Sequence, residues 1–139
     1  MKVKDVMHKG VDWVAPDTPV TELAKLMKAH DIGCIPVGED DKLVGMVTDR
    51  DIVCKGLAAK NFDASRAMAR DVMTTGIHCC REDDDLAKAV HHMEQLHIRR
   101  LPVINKSKRM VGILSLGDVS HSAPSALITE CVKSVATHH

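Results

Sequence analysis

The sequence predicts a mixed α/β fold, α+β in its local layout, made of two tandem β-α-β-β-α units that pack on one another. Three observations predict it. The segment Asp5 to Ile52 realigns on Asp71 to Val119, first at an offset of 66 residues and then, after one extra residue in a turn, at 67. Each copy carries one helical stripe followed by two short apolar runs around a polar turn. Each copy spans only about 50 residues, too few to bury a sheet alone, so the two must cover each other.

The matches are distributed along the whole repeat. Asp5-Val6-Met7 returns as Asp71-Val72-Met73, Asp17 as Asp83, Met27 as Met93, and Pro36-Val37 as Pro102-Val103. After the shift, Val44-Gly45 returns as Val111-Gly112 and Asp51 as Asp118. A short apolar stretch opens each copy, Val11 to Val14 or Ile77 to Cys80. A helix start follows, with Thr18 as N-cap and Pro19 in the first helical position, or Asp84 as the cap in the second copy. Val20, Leu23, Ala24 and Met27 then fall on one helical face, and Leu86, Ala89, Val90 and Met93 repeat that face. Ile35 to Val37 and Leu43 to Val47 read as strands around the turn Gly38 to Lys42. Leu101 to Ile104 and Met110 to Leu114 repeat them around Asn105 to Arg109. A second short helix begins near Asp49, or near Leu116. Residues 1–56 form the first repeat, 57–70 a linker that restarts at about Ser65, 71–122 the second repeat, and 123–139 a helical tail striped by Leu127, Ile128, Cys131, Val132 and Val135.

Composition narrows the function classes. The chain has 139 residues, 45% of them hydrophobic, enough for a core. Mean hydropathy is −0.08, and no apolar run approaches the roughly 20 residues that span a bilayer. Nineteen basic residues balance nineteen acidic ones, which argues against a nonspecific grip on nucleic acid. Trp13 and Phe62 stand without any tyrosine, too few aromatics for a base-stacking platform. The N-terminus lacks the apolar core of a signal peptide, and five cysteines without a C-x-x-C form neither a disulfide framework nor a paired-cysteine zinc motif. Reduced thiols in a cytoplasmic protein, without membrane or nucleic-acid partners, are the expectation.

One motif carries chemistry in both copies: Gly, two apolar residues, Ser or Thr, two variable residues, then Asp. It reads Gly45-Met46-Val47-Thr48-Asp49-Arg50-Asp51 and Gly112-Ile113-Leu114-Ser115-Leu116-Gly117-Asp118. Each ends a strand and opens a helix, where unpaired N–H groups and the positive end of the helix dipole face a ligand. The hydroxyl of Thr48 or Ser115 can bond a sugar or phosphate oxygen, and Asp51 or Asp118 can accept both hydrogen bonds of a ribose diol. The competing reading makes Thr48 and Ser115 plain helix caps, with the aspartates completing capping boxes.

With these residues in hand, the sequence resembles the cystathionine-β-synthase (CBS) domain pair, or Bateman module, over about Met1 to Ser120, and stand-alone pairs in particular. The resemblance rests on the two Asp-Val-Met openings, His30 to Val37, His97 to Ile104, and the two Gly-x-x-[Thr/Ser]-x-x-Asp turns. It implies repeats related by a pseudo-twofold axis, dimers, and two clefts for adenosyl ligands. It further implies composite clefts. Thr48 and Asp51 would face Ile77-His78 and Ile98-Arg99-Arg100; Ser115 and Asp118 would face Val11-Asp12 and Ile32-Gly33-Cys34. Only the second copy supplies cations before its strand, so Arg99 and Arg100 are expected to hold a phosphate at the Thr48/Asp51 cleft.

His78-Cys79-Cys80 with His91 and His92 has no recognised metal-ligand spacing, so no metal is expected. No nucleophile with a base, no phosphate loop and no paired catalytic carboxylates are found, so no catalytic residue is assigned. The expectation is a non-enzymatic regulatory homodimer with no obligatory cofactor. It binds AMP, ADP, ATP, NAD or S-adenosylmethionine and signals to an unidentified regulated protein. The alternative is an interaction or thiol-based stress protein with vestigial clefts, Cys34 being the thiol beside one of them.

Overall fold

The computed structural model describes residues 1–9, 13–40, 42–76, 78–122 and 124–136. Its strands are β1 (His8–Lys9), β2 (Cys34–Glu39), β3 (Lys42–Thr48), β4 (Cys80–Arg81), β5 (Arg100–Ile104) and β6 (Met110–Ser115). Its α-helices are α1 (Val20–His30), α2 (Asp49–Asp51), α3 (Ala69–Val72), α4 (Leu86–Leu96), α5 (Leu116–Ser122) and α6 (Ser125–Ala136). A 3₁₀ turn covers Val3–Asp5, and a π-helical segment, Ile52–Leu57, continues α2. The mixed α/β class and the β-α-β-β-α order are those read from the repeat.

Two compact units form, and they do not follow the order of the repeats along the chain. One joins Met1–Val11 to His78–His139; the other is Asp12–Ile77. In the first, β1 pairs with β6, so that the opening of copy one sits on the hairpin of copy two. In the second, Thr74 bridges Met46, so that the opening of copy two sits on the hairpin of copy one. The glycine of the Gly-x-x-[Thr/Ser]-x-x-Asp motif permits this in both. A Cβ on Gly112 would lie 2.7 Å from the His8 carbonyl oxygen and 2.7 Å from Met7 Sδ. A Cβ on Gly45 would lie 2.6 Å from Met73 Sδ and 3.1 Å from the Thr74 carbonyl oxygen.

The first unit has a four-stranded sheet in the order β1-β6-β5-β4. β5 and β6 form an antiparallel hairpin, and β4 adds in parallel, Cys80 opposite Val103. The second unit repeats this plan in sparser form: β2 and β3 form the hairpin, and Val14 bridges Val37 in parallel. Each helical stripe seals its own hairpin. Leu86, Ala89, Val90 and Met93 are buried with Leu101, Val103 and Leu114. Val20, Leu23 and Met27 are buried with Ile35, Val37 and Val47. Fully burying one such side chain contributes about 1.5–3 kcal/mol, so these two stripes are the main local source of order.

The structure corrects several boundaries. Pro19, not Thr18, caps α1, and Asp85, not Asp84, caps α4. Asp84 instead accepts a hydrogen bond from the Arg81 N–H at 3.0 Å. Ala24 is exposed, since the narrow hairpin covers only part of the expected stripe. The helix after the linker starts at Ala69 rather than near Ser65, because Asp63 holds Ser65 in a turn through the Ser65 N–H and hydroxyl, at 3.0 and 2.6 Å. The tail helix α6 belongs to the first unit's core, with Cys131 and Val135 buried there. His97 Nδ1 lies 2.8 Å from the Ser134 carbonyl oxygen.

Candidate functional site

Both strand-to-helix turns are complete capping boxes. Thr48 Oγ1 accepts from the Asp51 N–H at 3.0 Å, and the Thr48 N–H donates to Asp51 Oδ2 at 2.9 Å. Ser115 Oγ accepts from the Asp118 N–H at 3.0 Å, and the Ser115 N–H donates to Asp118 Oδ2 at 3.0 Å. The capping geometry weighed against a ligand role is therefore present, and it leaves chemistry to spare. Each hydroxyl keeps its proton to donate, and each carboxylate has its second oxygen, Oδ1, outside the capping box, though that of Asp51 is shared with Lys55 and Thr74. Capping also fixes the aspartate rotamer, so the residue that would hold a diol is already oriented.

The turns are tied back to the strand before them in the same way. The Asp49 N–H donates to the Gly33 carbonyl at 3.0 Å, and the Leu116 N–H to the Arg99 carbonyl at 2.9 Å. Register places Cys34 opposite Thr48 and Arg100 opposite Ser115. Each unit thus gathers one set of site residues: Ile32, Gly33, Cys34, Thr48 and Asp51 in the second; Ile98, Arg99, Arg100, Ser115 and Asp118 in the first. His78 belongs to the first unit and stacks edge-on against His92, ring centroids 5.6 Å apart. Val11, Asp12 and Ile77 lie outside the described residues.

The αL residue that ends each first helix delivers these strands. Asp31 has φ 51° and His97 φ 55°. The next N–H turns back onto the helix, Ile32 to the Met27 carbonyl at 3.0 Å and Ile98 to the Met93 carbonyl at 3.1 Å. This return is why His30-Asp31-Ile32 and His97-Ile98 precede a strand so closely. Arg99 and Arg100 emerge exposed, whereas Cys34 is buried.

The two aspartates differ in company. Asp51 Oδ1 is 3.3 Å from Lys55 Nζ and 3.4 Å from Thr74 Oγ1. Lys55 also donates to Thr74 Oγ1 at 2.7 Å. The sequence offers no equivalent near Asp118, where Ser122 and His8 take the places of Lys55 and Thr74. Lys55 and Thr74 were missed in the sequence because they act as a pair, Lys55 one helical turn after Asp51 and Thr74 in the opening of the other copy.

The thiols are poised for packing. Burial, with help from Asp84 and Cys79, pushes the Cys80 thiol up to about 12. Burial raises Cys79 as well, and burial together with Glu94 and Glu130 raises Cys131. A cavity of about 520 Å³ lies against the start of α4, between Cys80, Asp84, Lys88, His91 and His92, and includes neither capped turn.

A family model for the CBS domain matches twice, at residues 3–55 and 69–124. The chain belongs to the CBS-domain family. Hypoxic response protein 1 of Mycobacterium tuberculosis is 37% identical over 135 residues, covering 96% of this chain and 93% of that protein. A crystal structure of hypoxic response protein I with two coordinated zinc ions aligns with a TM-score of 0.79 at 38% identity, covering 89% of this chain and all of that one. Two further CBS pairs have been solved with adenosyl compounds. CBSX2, a protein of Arabidopsis thaliana, in complex with AMP, aligns with a TM-score of 0.76 at 27% identity, covering 88% of this chain and 95% of that one. The CBS domain pair of protein MJ0100, in complex with 5′-methylthioadenosine and S-adenosyl-L-methionine, aligns at 0.76 and 27%, covering 87% and 94%. No helix among the described residues is long and apolar enough to cross a membrane.

Proposed function

We propose that this CBS pair is a non-enzymatic cytoplasmic regulatory module that binds an adenosyl ligand and passes its occupancy to a protein partner. The observation that carries the proposal is the capped Thr/Ser-x-x-Asp turn, built twice with matching hydrogen bonds. Thr48 with Asp51, and Ser115 with Asp118, hold the ribose diol. Arg99 and Arg100 hold phosphate, which suits AMP, ADP or ATP before a ligand without phosphate; NAD and S-adenosylmethionine share the ribose. The AMP and S-adenosylmethionine complexes of CBSX2 and the MJ0100 pair support the ligand class.

The resemblance assigns the arginines to the ligand of Thr48 and Asp51. A second assignment is favoured by register: Arg100 lies opposite Ser115, so the arginines serve the ligand of Ser115 and Asp118. Calorimetry with AMP and adenosine tests the function. Charge-assisted bidentate contacts exceed neutral ones, so AMP is expected to bind more tightly than adenosine, with a gap that narrows in salt. Arg99→Ala with Arg100→Ala is expected to bring AMP to the adenosine level. Equal binding of AMP and adenosine overturns the phosphate role. If no adenosyl compound binds at all, the clefts are vestigial and the interaction-protein alternative stands.

Homodimerisation is part of the proposal, on altered grounds. Sequence alone makes Ile52, Val53 and Val119 of the second helices the apolar residues that a second copy would cover, but Val119 is 0% exposed inside the first unit's core and Ile52 is half-buried. On the π-helical segment, Val53 at 54% and Leu57 at 65% are exposed and offer the apolar face for a second copy. Light scattering at micromolar concentration is expected to give twice 15.2 kDa. A monomer with and without ligand overturns it.

A further inference from the structure

A cluster outside both capped turns holds the makings of a metal site. His91 and Glu94 stand one helical turn apart on α4, and Glu130 lies on α6. Packing of α6 into the first unit's core brings them together, so that one ligand atom from each lies within 4.8 Å of the others. His91 Nδ1 is 3.1 Å from Glu94 Oε2. The decisive feature is Glu94 itself. Only 9% of it is exposed, and its Oε1 is buried with no hydrogen-bond partner among the described residues. A buried, unpartnered carboxylate oxygen is costly, and a lone imidazole contact on Oε2 does not relieve it.

We propose that His91, Glu94 and Glu130 form a site for one divalent transition-metal ion, of which zinc is the representative. One imidazole and two carboxylates are the mixed nitrogen and oxygen donors that zinc and its first-row neighbours accept, with a fourth position left for water. The imidazole selects against magnesium and calcium, which prefer oxygen alone. The ion neutralises the two carboxylate charges and gives Glu94 its missing partner. Donors of a tetrahedral zinc with bonds of about 2.0–2.1 Å lie about 3.3 Å apart, so the site closes by a small rotation of the exposed His91 and Glu130 side chains onto the fixed Glu94. The ion would also pin α6 to α4, coupling the tail helix to metal supply.

The experiment is calorimetric titration of the metal-free chain with ZnCl₂, and separately with MgCl₂, in a variant carrying His138→Ala and His139→Ala to remove the terminal imidazoles. One zinc per chain is expected, with little or no magnesium binding. His91→Ala and Glu130→Gln, each in that background, are expected to weaken zinc by about tenfold or more. Both residues are exposed, and metal-free melting curves verify that each variant folds. Cobalt in place of zinc should give a visible spectrum without thiolate charge-transfer bands. Absence of zinc binding, full affinity in either variant, equal affinity for magnesium, or a thiolate signature overturns the site.

Discussion

Gly112 and Gly45 are where the fold tolerates least change at the residue scale. Each admits the opening segment of the other copy against a hairpin strand, and each would lose that approach on gaining a methyl group. At Gly112 the nearest atom is a backbone oxygen, 2.7 Å from the added carbon, which cannot step aside without disturbing β1. At Gly45 it is the end of the flexible Met73 side chain, at 2.6 Å, with the Thr74 carbonyl oxygen at 3.1 Å. Gly112→Ala is therefore expected to destabilise by about 1–3 kcal/mol and Gly45→Ala by less, measured by urea unfolding. Equal losses would place the strain elsewhere. The cysteines give a second expectation. Thiolates, not thiols, react. Cys80 is buried and its thiol is pushed up to about 12, while Cys54 is exposed. Iodoacetamide at pH 8 should label Cys54 well before Cys80 in the native protein, and mass spectrometry of the digest should show it. Because burial raises the Cys80 thiol, its neutral form persists in the fold above the ordinary thiol range; its contribution to stability is whole below that range and is lost as pH climbs from there towards 12.

At the element scale, α1 and α4 are repeats that have diverged in how well they are covered. Met93 is 0% exposed and Met27 is 9% exposed, at equivalent places. The difference has a cause in α6, which adds Cys131, Val135, Leu127 and Ile128 to the first unit's core and has no counterpart among the described residues of the second. Met93→Ala is expected to cost about 2–5 kcal/mol, towards the upper end, and Met27→Ala less, both by denaturant unfolding. Removal of α6 in the Met93→Ala background would test whether the tail makes the difference. The stripes of both helices were readable because a 3.6-residue period survives in any local environment. The exposure of Ala24 was not, because the width of the covered face depends on the partner hairpin. Nor was the burial of Val119, since α5 is too short to show a period and its cover comes from other elements.

On the scale of the whole molecule, the question is which of the two capped turns would dominate the proposed ribose binding. Asp51→Ala is expected to weaken AMP more than Asp118→Ala does, by about tenfold to a hundredfold, the cost of a hydrogen bond to a charged group. The reverse order would give Arg99 and Arg100 to the Ser115 turn, as the register of Arg100 favours. Melting of both variants without ligand supplies the control. Loss of a capping box costs about 0.5–2 kcal/mol in either unit, so comparable losses of stability with unequal losses of affinity isolate the ligand term. Lys55 sharpens this comparison. It is 3.3 Å from Asp51 and competes with a diol for the same oxygen, so Lys55→Met should raise affinity if the pair must open for the ligand and lower it if Lys55 also meets the phosphate.

The duplication, the α/β class, the two buried stripes, the hairpins and the Thr/Ser-x-x-Asp turns are all legible in the order of the amino acids. All of these are local patterns, set by side-chain period, turn chemistry and capping within a few residues, and repetition doubles their signal. Tertiary structure alone decided which opening pairs with which hairpin, that Lys55 and Thr74 meet Asp51, and that Glu130 joins His91 and Glu94 across 36 residues of chain. Short segments such as His8–Lys9 carry no period of their own, so their place is fixed only by the gap that Gly112 leaves open. A buried carboxylate such as Glu94 is invisible in sequence for the same reason: on α4 it is one charged residue in a helical turn, and only the docking of α6 buries it.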